Sequence, residues 1–111
     1  MGKNLIPAAL LFDKIDEFVR VNDEMAAYRT REIALKEAIM GGYTSGAVTQ
    51  GLLQYANLHP FKKEDIVVAI FPDHGSRYIT KVYSDQWMAD QGFVNNCVHN
   101  YDEIYKTEII K

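Results

Sequence analysis

Residues 66–71 read Ile-Val-Val-Ala-Ile-Phe, an apolar run without alternation, rich in β-branched side chains and closed by Pro72-Asp73. A run of this kind suits a central parallel strand covered on both faces. Such a strand needs helices above and below it and further strands at both edges. The chain offers one other convincing strand, Glu17-Phe18-Val19-Arg20-Val21, where polar and apolar residues alternate ahead of Asn22-Asp23. Two strands are too few, so the sheet reads as partial and the chain as part of a larger fold. The opening Met1-Gly2-Lys3-Asn4-Leu5-Ile6-Pro7, without a strand of its own, points the same way. The alternative is a small complete α/β domain with a weak third strand between Asp102 and Ile109.

Between the strands the pattern is helical. Asn22 is a good N-cap, Asp23 and Glu24 suit the positive end of the dipole, and no glycine or proline intervenes before Gly41, which predicts a helix from Asp23 to Met40. Met25, Tyr28, Leu35 and Ile39 fall on one side, flanked by Ala27, Ala34 and Ala38, with Glu32 interrupting the stripe; that face is expected to be buried. Gly41-Gly42 stops the helix, and Thr44 or Ser45 caps a second one running to about Leu58. After residues 66–71, a short helical turn begins at Ser76 to Tyr78, and Ser84 caps a helix that Gly92 ends. Strand, helix, helix, strand, helix is an α/β order.

The bulk numbers narrow the function classes. A chain of 111 residues is one domain or less, and 48% hydrophobic with 24% charged residues is ordinary for a globular protein. Its net charge of -3 is spread out, so neither nucleic acid nor an anionic membrane is an expected partner. The apolar stretch at residues 5–12 is far short of a membrane span, which needs about 20 residues. The single cysteine, Cys97, allows no internal disulfide and fits the cytoplasm. His59, His74 and His99 are scattered, and Cys97 with His99 makes two ligands where zinc needs four, so metal binding is not expected.

Chemistry concentrates in two places. The loop Gly41-Gly42-Tyr43-Thr44-Ser45-Gly46 opens a helix, where a hydroxyl either caps the helix or meets a ligand, and where free amides and the dipole can hold an anion. Asp73 stands at the C-terminal end of the apolar strand, where open α/β sheets place their ligands, although it could instead cap the next turn or pair with Arg77. Tyr83, Trp87, Met88 and Phe93 read as a packing cluster for the last helix.

Three segments in order carry a resemblance. Residues 41–47, Gly-Gly-Tyr-Thr-Ser-Gly-Ala, resemble the glycine and serine or threonine loop of fold-type II pyridoxal-phosphate enzymes. Residues 66–73 followed by Ser76-Arg77-Tyr78 and Thr80-Lys81 are similar to that class's strand ending in Pro-Asp and its Arg-Tyr turn. Ser84-Asp85-Gln86-Trp87-Met88 with Gly92-Phe93 resembles the cystathionine β-synthase branch more than plain cysteine synthases. The chain is thereby identified as a C-terminal portion of the cystathionine β-synthase and cysteine synthase family, over residues 2 to 93.

The resemblance implies a three-layer α/β/α fold with a parallel sheet, tryptophan synthase β-like, of which residues 1–93 are an incomplete catalytic domain and residues 94–111 a tail. It implies pyridoxal phosphate as cofactor and β-replacement as the reaction, serine or an activated serine being joined to a thiol or sulfide. Thr44 matches the residue whose hydroxyl meets the pyridine nitrogen; Gly42, Tyr43, Ser45 and Asp73 are the other expected contacts, and Gly2 matches a glycine bordering the site. A neutral hydroxyl leaves the nitrogen largely unprotonated and the ring a weaker electron sink than an aspartate would. The Schiff-base lysine, the asparagine beside the ring and the phosphate loop have no counterpart here, so no catalytic residue is assigned and the chain alone is expected to be inactive. Its expected partners are the remainder of the catalytic domain and further copies of the protein. A non-catalytic α/β module that binds or oligomerises through residues 41–46 is the competing reading.

Overall fold

The computed structural model describes residues 5–93 and the backbone of Ile109–Ile110. Gly2, Cys97, His99 and most of the tail lie outside the described residues. A 3-10 turn at Phe12–Lys14 leads into β1, Phe18–Val19, which pairs antiparallel with β2, Ile109–Ile110. The expected strand at residues 17–21 is thus present in its central pair, and the weak third strand is represented by its last residue and the one after it.

Helix α1, Asp23–Glu37, starts where predicted, with the Asn22 side chain accepting from the Met25 amide at 2.8 Å, a cap that stabilises by about 1 kcal/mol. It ends three residues before Met40, because Ala38 turns left-handed at φ 55°. That turn frees the backbone beyond it: the Met40 carbonyl accepts from Gly75, and Gly41 forms an antiparallel bridge with His74. Helix α2, Tyr43–Leu58, returns against α1.

The face that α1 buries matches the predicted one at Met25 and Ala27 but departs from it toward the C-terminal end. Met25, Ala26, Ala27, Arg29, Thr30 and Ile33 are buried, whereas Leu35 is 85% exposed and Ile39 also faces solvent. The reason lies on α2, which offers polar partners. Gln50 accepts from Arg29 Nε at 3.0 Å and donates to Gln54 at 3.1 Å, and Gln54 donates to the Arg20 carbonyl at 2.9 Å. The Arg29 guanidinium also pairs with Glu32, which pairs with Lys36. Buried polar groups are tolerable when each finds such a partner, so an amide and guanidinium ladder replaces the apolar stripe. The helices also approach closely: a Cβ on Gly46 would fall on Thr30 Oγ1 and on the Ala26 carbonyl oxygen.

A second cluster forms on the other side of α1. Ala27, Val82 and Met88 are buried among Tyr28, Tyr43, Tyr78, Tyr83, Trp87 and Phe93. It seats α3, Asp85–Asp90, capped by Ser84, whose hydroxyl accepts from the Trp87 amide, and followed by Gly92 at φ +78°. The packing role read for Tyr83, Trp87, Met88 and Phe93 holds.

The parallel sheet does not form among the described residues. Residues 66–71 have no ladder partner, and Ile66, Val68 and Ile70 are 91%, 81% and 73% exposed. The strand expectation is corrected on physical grounds: the described residues supply no neighbour to satisfy this backbone or cover its faces. Among the described residues no helix is long and apolar enough to cross a membrane.

Candidate cofactor-facing loop

The segment from Pro72 to Tyr83 grips the Gly41-Gly42 pair. The Gly42 amide donates to the Asp73 carbonyl at 3.0 Å, the Gly75 amide to the Met40 carbonyl at 2.8 Å, and the Tyr83 hydroxyl to the Gly41 carbonyl at 2.6 Å. Both glycines are buried, and each is required by crowding. A Cβ on Gly42 would strike the Asp73 carboxylate and the Tyr78 ring; one on Gly41 would come within 2.8 Å of Ser45 Oγ.

Each sequence-predicted site residue can now be placed. Gly42 is the N-cap of α2 and has no side chain with which to cap, so Thr44 and Ser45 lie inside the first turn; neither caps the helix, which corrects that expectation. Thr44 is exposed. Ser45 points the other way, fully buried, with an Oγ that has no hydrogen-bond partner. Tyr43 is committed to packing: its hydroxyl donates to the Asp23 carbonyl at 2.7 Å and its ring meets Trp87 edge-on at 6.2 Å. Burial and then the Asp23 charge push its phenol well above the ordinary value.

Asp73 adjoins the loop through both backbone and side chain. Its Oδ2 accepts from the Tyr78 hydroxyl at 2.7 Å, while Oδ1 is buried without a partner against Gly42. That hydrogen bond, with burial next, raises the Tyr78 phenol. The Asp73–Arg77 pair and an Asp73 cap were both open readings. The hydroxyl of Tyr78 takes the carboxylate instead, and the cap of the 3-10 turn Gly75–Tyr78 is His74, whose Nδ1 accepts from the Ser76 amide at 3.0 Å. Tyr78 and Tyr83 are the site residues that sequence reasoning missed as such. Their signal was an Asp and two tyrosines spaced five residues apart after a strand, which is too common to single out. His59 packs its ring against Tyr55, tilted by 34° with centroids 4.8 Å apart, and the described lysines from Lys14 to Lys81 are exposed.

The arrangement is a buried glycine pair closed over by Ser45, Asp73, Tyr78 and Tyr83, with Thr44 exposed on its helix end. It suits an uncharged acceptor edge better than a phosphate.

Comparison with known proteins assigns the class. No protein-family model matches the chain. Curated relatives do: it is 34% identical over 90 residues to an N-(2-amino-2-carboxyethyl)-L-glutamate synthase from Cupriavidus metallidurans, covering 80% of this chain and 26% of that protein. It is 29% identical over 89 residues to the cystathionine beta-synthase of Saccharomyces cerevisiae, covering 79% and 18%. It is 32% identical over 94 residues to a cysteine synthase of Buchnera aphidicola subsp. Schizaphis graminum, covering 84% and 29%. The chain is homologous to fold-type II pyridoxal-phosphate enzymes. Within that class its distant homology is to the cystathionine β-synthase and cysteine synthase family, and it spans about a quarter of the length of the curated relatives it matches.

Proposed function

We infer that this chain forms the wall of a pyridoxal-phosphate site that meets the pyridine edge of the cofactor, as part of a β-replacement enzyme joining serine or an activated serine to a thiol or sulfide. The supporting observation is the loop itself: an exposed Thr44 hydroxyl beside two glycines that cannot carry side chains, all held by the 73–83 segment. The residues fit the group. Gly41 and Gly42 let the 73–83 segment close on the loop, the space of their missing side chains being taken by Ser45, Asp73 and Tyr78, and Thr44 would offer the neutral hydroxyl at the exposed end. When bound, the cofactor withdraws electrons from the amino acid and lets the β-substituent leave. Thr44 would present its hydroxyl to the ring nitrogen, a neutral group in place of the carboxylate that would keep that nitrogen protonated. Gly42 and Tyr43 contribute backbone to the same wall, Ser45 lies behind it, and Asp73 fixes its angle.

The remainder of the catalytic domain, carrying the lysine and the neighbouring strands, covers residues 66–71 in the working enzyme, which acts as a homo-oligomer in the cytoplasm. The exposure of Ile66, Val68 and Ile70 supports such a partner. The anion-binding alternative is disfavoured by the amides already engaged, Gly42 to Asp73 and Ser45 to Gly42.

Pyridoxal phosphate titrated into the isotope-labelled chain tests this reading. Amide signals of Gly42, Tyr43 and Thr44 should shift, with no borohydride-reducible lysine adduct and no turnover of serine with a thiol. Silence at the loop, or a lysine adduct with turnover, would refute it.

A further inference from the structure

Helix α2 begins without a cap of its own. Gly42 precedes it, no side chain caps its amides, and its first turn holds no acidic residue. Sixteen residues of aligned peptide dipoles therefore end on an uncompensated positive pole, where negative charge is favoured. The negative charge comes from another segment. Asp73 Oδ1 occupies the space a Cβ on Gly42 would take and has no hydrogen-bond partner, while Tyr78 ties down Oδ2. A carboxylate oxygen left free, yet pressed against the N-cap residue of a helix, has its electrostatic partner in that helix. The fully buried Ser45 hydroxyl, also without a partner, is a second polar atom at this end that no protein group satisfies.

We propose that Asp73, fixed by Tyr78, is the charge cap of α2 supplied from across the loop, and that it makes this helix start selective by excluding anions from the place where a helix would otherwise attract them. This rests on reading residues 41–46 as the wall facing a pyridine ring. There, the same charge leaves the Thr44 position open to a neutral or protonated nitrogen while turning away free phosphate and the carboxylates of amino-acid substrates. Asp73 acts through the loop and is a positioning residue. The geometry explains why Gly42 is needed: any side chain there would displace the carboxylate from its place against the helix start.

The test titrates the labelled 111-residue chain with inorganic phosphate and, separately, with pyridoxine, following the amides of residues 42–46. In the unmodified chain phosphate should leave these signals unmoved. Asp73→Asn, which keeps the shape and removes the charge, should gain saturable phosphate binding at the loop, at least tenfold tighter than the unmodified chain. A purely structural role predicts loss of order and no such gain. Tyr78→Phe keeps the charge, so it should still exclude phosphate while the Gly42 amide exchanges several-fold faster. Phosphate shifting the loop of the unmodified chain overturns the proposal even if Asp73→Asn fails to fold, and so does a folded Asp73→Asn that stays indifferent to phosphate. Pyridoxine failing to shift Thr44 would instead sink the ring-wall reading and leave the charge exclusion standing.

Discussion

Adding one methyl group to α2 at two positions five residues apart should have opposite effects. Gly46 and Gly51 both lie inside Tyr43–Leu58, and replacing an interior helical glycine by alanine gains about 1 kcal/mol of helix propensity. At Gly51 that gain should survive, because the nearest atom to a new Cβ is Val21 Cγ2 at 3.4 Å, an ordinary contact. At Gly46 the Cβ would coincide with Thr30 Oγ1 and the Ala26 carbonyl oxygen and would lie 2.7 Å from the Thr30 amide nitrogen. Two of those three atoms are backbone of α1, so no rotamer change relieves the clash and the helices must separate. Overpacking costs roughly 1–3 kcal/mol, and contact with rigid backbone belongs at the upper end. Separation also strains the 2.8 Å bond from Thr30 Oγ1 to the Ala26 carbonyl, worth about 1 kcal/mol. The net expectation is a loss of about 3 kcal/mol for Gly46→Ala against a gain of up to about 1 kcal/mol for Gly51→Ala. With a urea dependence of about 1–3 kcal/mol per molar, the two midpoints should differ by more than about 1 M. Equilibrium urea unfolding followed by far-ultraviolet circular dichroism measures this. Midpoints that move together, or a Gly46→Ala chain at least as stable as the unmodified one, would refute the account of how α1 and α2 pack.

Alkaline pH should destabilise the chain. The phenols of Tyr43, Tyr78 and Tyr83 are raised from 10.0: Tyr43 chiefly by burial, Tyr78 by its bond to Asp73, Tyr83 by burial. The native state then keeps protons that the unfolded chain gives up, so the stabilisation is complete below about pH 10 and falls as pH rises beyond it. Unfolding free energies measured between about pH 9 and 11 should decline, and a flat profile would show these hydroxyls to be unconstrained. Val68→Lys, at a side chain with no cover to lose, should change the chain's stability by less than about 0.5 kcal/mol while abolishing concentration-dependent association in sedimentation. A loss of more than about 1 kcal/mol would place Val68 in a core instead.

What the sequence made legible follows from the range of the interactions involved. Asn22 and Ser84 announce helices because their bonds close within three residues, to Met25 and Trp87. The aromatic cluster around Met88 was readable because its members are large, apolar and concentrated near one helix. The buried face of α1 was not, since Arg29 and Thr30 are buried where Gln50 and Gly46 of α2 stand opposite them. A glutamine pair at positions i and i+4 of α2 was the available signal, though it reads equally well as a solvated face. The early end of α1 depended on a left-handed alanine, a conformation its residue type disfavours. The β-branched run at residues 66–71 has the right composition for a strand, but a strand exists by virtue of its neighbours, and the described residues provide none.

The contrast between the loop and the strand separates two kinds of information in the chain. The loop at residues 41–46 is held by bonds from residues 73–83, all within the described chain: Gly42 to Asp73, Gly75 to Met40, Tyr83 to Gly41. Its geometry therefore does not wait on the sheet. The strand does, and its far end runs straight into the Asp73 that sets the loop. A polypeptide docking along residues 66–71 would order the backbone leading to Asp73, and through the bonds to Gly42 and Met40 that ordering would reach the first turn of α2. The proposed wall for the ring and the exposed surface at residues 66–71 are thus mechanically continuous, with Asp73 as the joint. Assembly of the sheet should therefore steady a proposed cofactor wall whose bonds are already made, because Asp73 follows one segment and adjoins the start of the other.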